Sequence, residues 1–464
     1  MMDASEVAKH NTKDSCWVVI HGTAWDVTDF LDEHPGGVKL ILKHAGGDAT
    51  EAYESIHNRD LITETLPPTR CLGAIDAKSL VAMTTSEETT KPKPAYPSLG
   101  AIINVDDFEK VAERYLTETG WAYYSSGAED ELSIQESRRV FRKLSLRPRI
   151  LRDVDNISTV TDILGFSSSL PIYISPTGSA KFAHPDAEPL IVSAAGKEGI
   201  IYCMPTSPSA GLESIFGARV QDSQPLFFQL YVNRDKEKAK ATIRKAVSLG
   251  AKAIFITVDS PVIGKRERDE RLTAGDDPFV ASTGVAKTSS AGLLNAGLTW
   301  KDLIWIRETT TLPLVIKGIQ SAEDAVLAYQ HGVDGIVLSN HGGRSQDTAQ
   351  TPMITLLEIR KYAPQLLSPG GRKFQIFLDG GIRRGTDVIK ALALGATAVG
   401  IGRPVLYSMT AGYGENGIRR LVQILRAELE TNMAMIGAAR LDDLVPEMVN
   451  SERAEKGVSL RVKL

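Results

Sequence analysis

Residues 312–343 read LPLVIKGIQSAEDAVLAYQHGVDGIVLSNHGG. The stretch opens on an apolar, β-branched run, LPLVIKG. It passes through AEDAVLAYQHG, with helical spacing and a glycine near the stop, and returns to a second apolar run, GIVLSNHGG. That is a strand–helix–strand unit, and the rhythm continues on both sides of it. Upstream lie LPIYISP (170–176), GIIYCMP (199–205), LFFQLYV (226–232) and KAIFITVD (252–259); downstream lie FQIFLDGG (374–381) and TAVGIGRP (397–404). Segments such as KEKAKATIRKAVSLG and RGTDVIKALALG supply the intervening helices. Eight buried strands alternating with helices predict an α/β protein built on a (β/α)8 TIM barrel. An open doubly wound sheet is the competing arrangement. Eight regular units with no GxGxxG after the first strand favour closure.

In such barrels chemistry collects at the C-terminal strand ends. Those ends carry Thr177, Thr206, Gln229, Tyr231, Thr257, Asp259, Lys317, Asn340, His341, Arg344, Asp379 and Arg403. So many polar and ionisable groups converging on one mouth exceed what solubility requires.

Composition narrows the classes further. Of 464 residues, 42% are hydrophobic and 24% charged, the make-up of a soluble globular protein of two or three domains. The 53 Lys+Arg against 57 Asp+Glu leave a net charge of −4, which argues against a nucleic-acid binder. No apolar run approaches the ~20 residues of a membrane span. Cys16, Cys71 and Cys203 form neither a CxxC pair nor a disulfide framework, which suits a reducing compartment.

Five of the eight histidines (His10, His21, His34, His44 and His57) fall in the first 57 residues, so the front of the chain has a chemistry of its own. Residues 78–100, KSLVAMTTSEETTKPKPAYPSLG, have linker composition. The expected division is a front module over 1–77, a linker over 78–100 and the barrel over 101–464. A second poor stretch, 273–297, reads as a long surface loop inside the barrel part. In the front module, DSCWVVIHGTAWDVTDFLDEHPGG runs through two aromatic strands and a helix start at Thr28–Asp29 to His-Pro-Gly-Gly at 34–37. His57 follows 23 positions after His34. Two imidazoles on separate loops, with Leu40, Ile41, Leu42 and Tyr53 forming an apolar cleft, suit axial coordination of a heme iron. His44 is the rival second ligand, but ten residues leave little chain to cross a porphyrin. It reads as a surface or capping histidine, as do His10 and His21.

On these residues the front module resembles a cytochrome b5 heme-binding domain, which implies heme b held by His34 and His57. The body, from about Asn104 onward, resembles the FMN-dependent 2-hydroxy acid dehydrogenase/oxidase family. The resemblance rests on SNHGGRSQD (339–347), with WAYYSSGAEDE, LRPRIL, FQLYVN, TVDSP, VIKG, DGGIRRGTDV and IGRP. A heme module ahead of this barrel is the arrangement of the flavocytochrome b2-type L-lactate dehydrogenases.

Residue chemistry agrees with that assignment. His341 titrates near neutrality and can take the substrate's proton, with Asp259 to orient and stabilise it. Arg344 can grip a carboxylate bidentately, and Tyr123 and Tyr231 can add hydroxyl hydrogen bonds. The resemblance implies these same roles and adds Arg266 as a further active-site cation. Lys317 can stabilise negative charge on reduced FMN. The flavin phosphate is expected at the ends of the seventh and eighth strands, on the amides of Gly380, Gly381 and Gly402 with Arg383 and Arg403, and Asp379 is a further cofactor-binding residue. The family pattern adds Thr177, Gly178, Gln229 and Thr257 as flavin contacts. Two departures stand out. Pro205-Thr206 replaces a Ser/Thr pair of the relatives, which loses one flavin hydrogen bond or shifts it to Thr206. Gly178 and Ser207 are small where lactate-specific relatives carry bulkier groups, which implies a substrate larger than lactate.

The expected function is FMN- and heme-dependent oxidation of an L-2-hydroxy acid, with electrons passed to a cytochrome c-like acceptor. The alternatives are an oxidase that makes hydrogen peroxide and a heme-binding sensor on a degenerate barrel. The resemblance implies a homotetramer, with no nucleic-acid or membrane partner. The N-terminal MMDASEVAKHNTKD shows no presequence for the mitochondrial intermembrane space, and the final VKL lacks the small first residue of a peroxisomal address. The cytoplasm is the expected compartment.

Overall fold

The computed structural model describes residues 2–34, 38–57, 59, 61–76, 79, 95–274, 284–289, 293–367, 374–460 and 462. Most of the expected linker, with Pro35, Gly36 and Gly37 of the His-Pro-Gly-Gly motif, lies outside them. Two units emerge: Met1–Tyr96 with Thr117–Tyr123 and Glu267–Ala291, and Pro97–Leu116 with Tyr124–Arg266 and Gly292–Leu464.

The smaller unit carries an antiparallel sheet of β1 (Asn11–Thr12), β2 (Ser15–Ile20), β3 (Thr23–Asp26) and β4 (Cys71–Ala74), paired in that order. Its two aromatic runs pair as the sequence suggests, Val18 opposite Trp25 and Trp17 opposite Asp26. One face of the sheet packs into a core of Cys16, Val18, Ile20, Trp25, Val27, Leu31, Ala49, Ile62 and Leu66. Short helices Val38–Leu42, Thr50–Ile56 and Leu61–Thr65 lie between β3 and β4 in the chain. The helix start expected at Thr28–Asp29 is a run of turns instead. Asp26 Oδ1 accepts from both the Thr28 amide (3.0 Å) and its hydroxyl (2.6 Å), a local bond that competes with helix formation.

The larger unit is the closed parallel barrel. Its strands are β5 (Ile172–Ile174), β6 (Ile201–Met204), β7 (Leu226–Leu230), β8 (Ile254–Thr257), β9 (Leu314–Ile319), β10 (Gly335–Leu338), β11 (Gln375–Asp379) and β12 (Ala398–Ile401). Each pairs with the next, and β12 closes on β5 through Val399–Ile172. All eight expected runs are strands, and the open-sheet alternative is excluded. Inward side chains fill the barrel with aromatic bulk set against small residues. Tyr173, Phe227, Phe255 and Phe377 meet Cys203, Ala253 and Ala398. A hairpin of Thr161–Ile163 and Phe166–Ser168 plugs the N-terminal end through Ile163, Leu164 and Phe166. With that end closed, the polar strand ends face outward at the other mouth.

The stretch expected as a loop over 273–297 includes a short helix, Gly284–Ser289. Its first amides, Val285 and Ala286, donate to the buried Asp269 carboxylate at 3.0 and 2.9 Å, which caps a segment whose composition alone signals no helix. No helix among the described residues is long and apolar enough to cross a membrane.

Candidate active site

In the smaller unit His34 and His57 face one another, with ring centres 6.1 Å apart and planes at 75°. Phe30 abuts the first ring and Tyr53 the second. Ile41 and Leu42 pack on the same apolar core, while His44 lies in the turn after the helix Val38–Leu42. A heme fits this pair. An imidazole nitrogen bonds a first-row metal at about 2 Å. Two such bonds in line, plus about 1 Å from each nitrogen to its ring centre, set the centres about 6 Å apart. Burial, with His34 beside it, pushes the His57 imidazole down to about 4, so its nitrogen lone pair is free for metal at neutral pH. Two imidazoles alone are a poor cage for a bare ion, and His34 and His57 would instead hold the iron of a heme. His10 stacks on Trp17 at 3.5 Å and His21 pairs with Glu54 at 3.4 Å, so both serve packing and surface roles.

At the barrel mouth the loop after β10 turns on three successive left-handed residues, His341, Gly342 and Gly343, with φ of 57°, 64° and 75°. A non-glycine residue there is strained, and the strain throws the imidazole over the strand ends. His341 Nδ1 lies 2.8 Å from Asp259 Oδ1 and Nε2 lies 3.3 Å from Tyr231 Oη. Asp259 follows β8, and its side chain has no exposed surface. Burial opposes its charge, yet His341 and Lys317 hold the carboxyl below its usual range. An ionised carboxylate at that distance requires hydrogen on Nδ1, which leaves the lone pair on Nε2. Burial, with Lys317 and Arg266 adding to it, outweighs Asp259 and holds the imidazole below its ordinary value. The ring is neutral at neutral pH and able to accept a proton. Gly318 permits the arrangement: a Cβ there would stand 2.5 Å from the Asp259 Cβ, at φ +113°.

Arg344 donates to the carbonyls of Tyr124 (3.2 Å) and Ser126 (3.4 Å), and Arg266 Nε donates to Arg344 O (3.4 Å). Tyr123 lies in the helix Glu118–Ser125. Deeper in the mouth, Lys317 Nζ donates to Ser339 Oγ (3.0 Å) and pairs with Asp379 Oδ2 (3.1 Å). Burial opposes the ammonium, but Asp379 and Asp259 raise its pKa overall, so it stays charged inside the barrel. Gln229 links Thr206 to Thr257, accepting from the Thr206 amide at 3.0 Å and donating to Thr257 Oγ1 at 3.0 Å.

A flavin phosphate fits the far side. Arg403 is half-buried, and among the described residues it donates to three carbonyl oxygens, of Tyr124 (2.8 Å), Gly342 (2.8 Å) and Ser126 (2.9 Å). Burial, with Arg344 alongside, lowers its guanidinium to about 9. Arg383 lies close by, and Glu109 compensates it at 3.3 Å while also binding Arg138 at 2.7 Å. Asp106 adds a second carboxylate to Arg383 at 3.5 Å, yet the half-buried guanidinium groups here still outnumber the carboxylates, a balance that suits an anion. Gly380 and Gly381, at φ 92° and 81°, follow β11, and Gly402 precedes Arg403. Thr177 Oγ1 and Asp379 Oδ1 are buried without a hydrogen-bond partner among the described residues, open positions on a polar ligand's path.

The expected transfer of a flavin bond to Thr206 meets an obstacle. Its amide is spent on Gln229 Oε1, and its hydroxyl donates to Gln229 O (2.7 Å) while accepting from Tyr231 N (2.8 Å). In this structure Thr206 positions Gln229 and Tyr231 rather than offering a free donor. Sequence reasoning also missed Ser260, Ser339 and Ser345, neutral residues beside the ionisable ones. It missed Glu188 as well, a buried carboxylate on the helix Ala187–Glu198 that accepts from Ser209 N (2.8 Å) and Ala210 N (3.0 Å) and so ties down the loop after β6. Ser260, next to Asp259 in TVDSP, and Ser339 and Ser345, within SNHGGRSQD, carried a local signal; Glu188 carried none.

Residues 112–451 match the family described as FMN-dependent dehydrogenase, and residues 3–76 match the cytochrome b5-like heme/steroid binding domain. The chain belongs to the FMN-dependent dehydrogenases and carries a heme module of its own, so its cofactors are FMN and heme b. In this particular combination it is similar to L-lactate dehydrogenase (cytochrome) of Wickerhamomyces anomalus, with 39% identity over 457 residues, 96% of this chain and 79% of that one. Glycolate oxidase of Spinacia oleracea is 40% identical over 360 residues, 74% of this chain and 94% of its own. Among solved structures, the flavin-binding domain of baker's yeast flavocytochrome b2 superposes with a TM-score of 0.72 at 36% identity, covering 79% of this chain and 91% of that one. A mandelate oxidase variant with (S)-mandelic acid gives 0.66 at 32% identity, covering 75% and 98%.

Proposed function

We propose that the protein oxidises an L-2-hydroxy acid, L-lactate or a larger analogue, to the 2-keto acid and delivers the electrons to a cytochrome c-like acceptor. The observation that carries this reading is the His341–Asp259 pair at 2.8 Å, beside a charged buried lysine, in a chain that also holds a facing histidine pair. His341 Nε2 takes the hydroxyl proton of the substrate, and Asp259 stabilises the imidazolium that results. Tyr231, 3.3 Å from Nε2, marks where that hydroxyl sits. Arg344, Arg266 and Tyr123 receive the carboxylate, the last by family resemblance. Lys317 faces the negative charge of reduction, while Thr177, Gly178, Gln229 and Thr257 line the ring, Gly380, Gly381, Arg383, Gly402 and Arg403 line the phosphate, and Asp379, paired with Lys317 at 3.1 Å, is a further cofactor-site residue. When bound, FMN would supply the acceptor for the α-carbon hydrogen and two electrons of the substrate, and heme b would supply a one-electron outlet.

Domain limits at 77 and 101 follow the linker composition, and a homotetramer follows the family resemblance; sedimentation of the holoenzyme tests the assembly. A cytoplasmic location is supported by three unpaired cysteines, two of them buried. The deciding experiment is steady-state turnover on a panel of 2-hydroxy acids, with cytochrome c and with oxygen. Cytochrome c reduction far above peroxide formation supports the dehydrogenase. Peroxide matching substrate consumption with cytochrome c idle would establish the oxidase instead. His341→Gln should keep FMN and slow flavin reduction about 10²–10⁴-fold.

A further inference from the structure

The imidazole of His341 has a second polar partner that the mechanism above leaves idle. Ser260 Oγ lies 3.2 Å from Nδ1, and Ser345 Oγ lies 2.7 Å from Ser260 Oγ. Ser260 leaves β8 directly after Asp259, and Ser345 sits four residues past His341. The two loops meet backbone to backbone here. A Cβ at Gly264 would collide with Ser345 O and stand 2.7 Å from Arg344 O, so only glycine allows the approach that brings the hydroxyls together. Ser260 is buried, at 8% exposure, so its hydroxyl relies mainly on these protein partners.

The donor count sets the direction of these bonds. Nδ1 has one hydrogen, claimed by the ionised Asp259 carboxylate. Ser260 Oγ is therefore a second acceptor of the same hydrogen, and it shares a further hydrogen bond with Ser345 Oγ in which either hydroxyl can donate. We propose that Ser260 and Ser345 form a hydroxyl relay that shares the Nδ1 hydrogen of His341 with Asp259 and sets the basicity of Nε2. The proposal rests on the reading of His341 as the base. Both serines are positioning residues: neither is placed on substrate, and each acts through the imidazole.

The relay adds to a ring already surrounded by charge. Asp259 raises the basicity of His341, and Lys317 and Arg266 lower it along with burial. Tyr231 Oη faces the opposite nitrogen, Arg344 follows on the same loop, and Arg403 holds that loop through Gly342 O. An accepting hydroxyl beside Nδ1 stabilises the imidazolium more than the neutral ring, because a hydrogen bond from a charged donor is the stronger one. Removing it makes Nε2 less basic. The relay thus offsets part of the effect of the neighbouring cations.

The test uses the full-length holoenzyme and anaerobic single-turnover flavin reduction followed across pH. In Ser260→Ala the ascending limb should move about half a pH unit to the acid side. Ser345→Ala should move it less, and the double variant should match Ser260→Ala, since Ser345 acts through Ser260. Ser260→Thr, which restores a hydroxyl, should return the limb to its parent position. An unmoved limb in Ser260→Ala, with His341→Gln still deeply impaired, overturns the relay and leaves the base in place. Full and independent shifts from the two serines also overturn it, because they would then act separately. Near-parent flavin reduction by His341→Gln would instead sink the base reading on which the relay depends.

Discussion

Replacing Asp259 by asparagine isolates the electrostatic share of proton transfer. The amide has the same shape, and its oxygen can still accept from His341 Nδ1 at the site where the carboxylate stands 2.8 Å away. With that oxygen toward Nδ1 the ring keeps its tautomer and loses only the adjacent charge, whereas an amide turned the other way would also invert the tautomer and deepen the loss. Two unit charges about 4 Å apart, at an effective dielectric constant near 20, interact by about 4 kcal/mol. The transition state carries part of the imidazolium charge, so about 2–3 kcal/mol of that is lost, or about 30- to 150-fold in rate. Lys317 should stay bound to Asp379, 3.1 Å away, so the flavin side of the site should keep its charge. Burial, Lys317 and Arg266 already lower the basicity of His341 against the pull of Asp259. Without the carboxylate the imidazole becomes less basic still, and the ascending limb of the pH profile moves to the acid side. The assay is anaerobic stopped-flow bleaching of the flavin at saturating substrate, with bound FMN measured by absorbance. A rate within threefold of the parent, with FMN in place, would refute the claim that Asp259 stabilises the protonated ring.

His34→Ala and His57→Ala should each abolish the low-spin six-coordinate heme spectrum while substrate still bleaches the flavin; retention of that spectrum in His57→Ala with its loss in His44→Ala would reassign the ligand. A larger 2-hydroxy acid should show a higher kcat/KM than L-lactate, because Gly178 and Ser207 leave a contact worth about 1–3 kcal/mol unfilled. Ser207→Leu should swing the ranking back toward lactate, and an unchanged ranking headed by lactate defeats the pocket reading. Glu188→Ala strands the amides of Ser209 and Ala210 and should cost about 2–4 kcal/mol in a denaturant melt. It should also raise KM more than it lowers kcat, and a stability equal to the parent would show that the bracket carries little.

Local order along the chain determined the architecture by itself. Each apolar run is long enough to be a strand buried on both faces, and each intervening segment has helical period, so eight repeats lead to a closed barrel without any long-range information. The histidine pair was legible for a similar reason: His34 and His57 are embedded in short aromatic and apolar patterns that fix their loops. The hydrogen-bond partners at the barrel mouth were decided only by the tertiary structure. Asp259 and His341 lie 82 positions apart, and their contact depends on the stagger of β8, β9 and β10 and on the tight approach at Gly318. Thr206 sits in a sequence context that suggests a free donor, yet register places Gln229 where it consumes that donor. Ser260 and Ser345 carry no charge and belong to no periodic pattern. Their meeting depends on how closely two loop backbones pack, a distance that hydrophobic period does not encode.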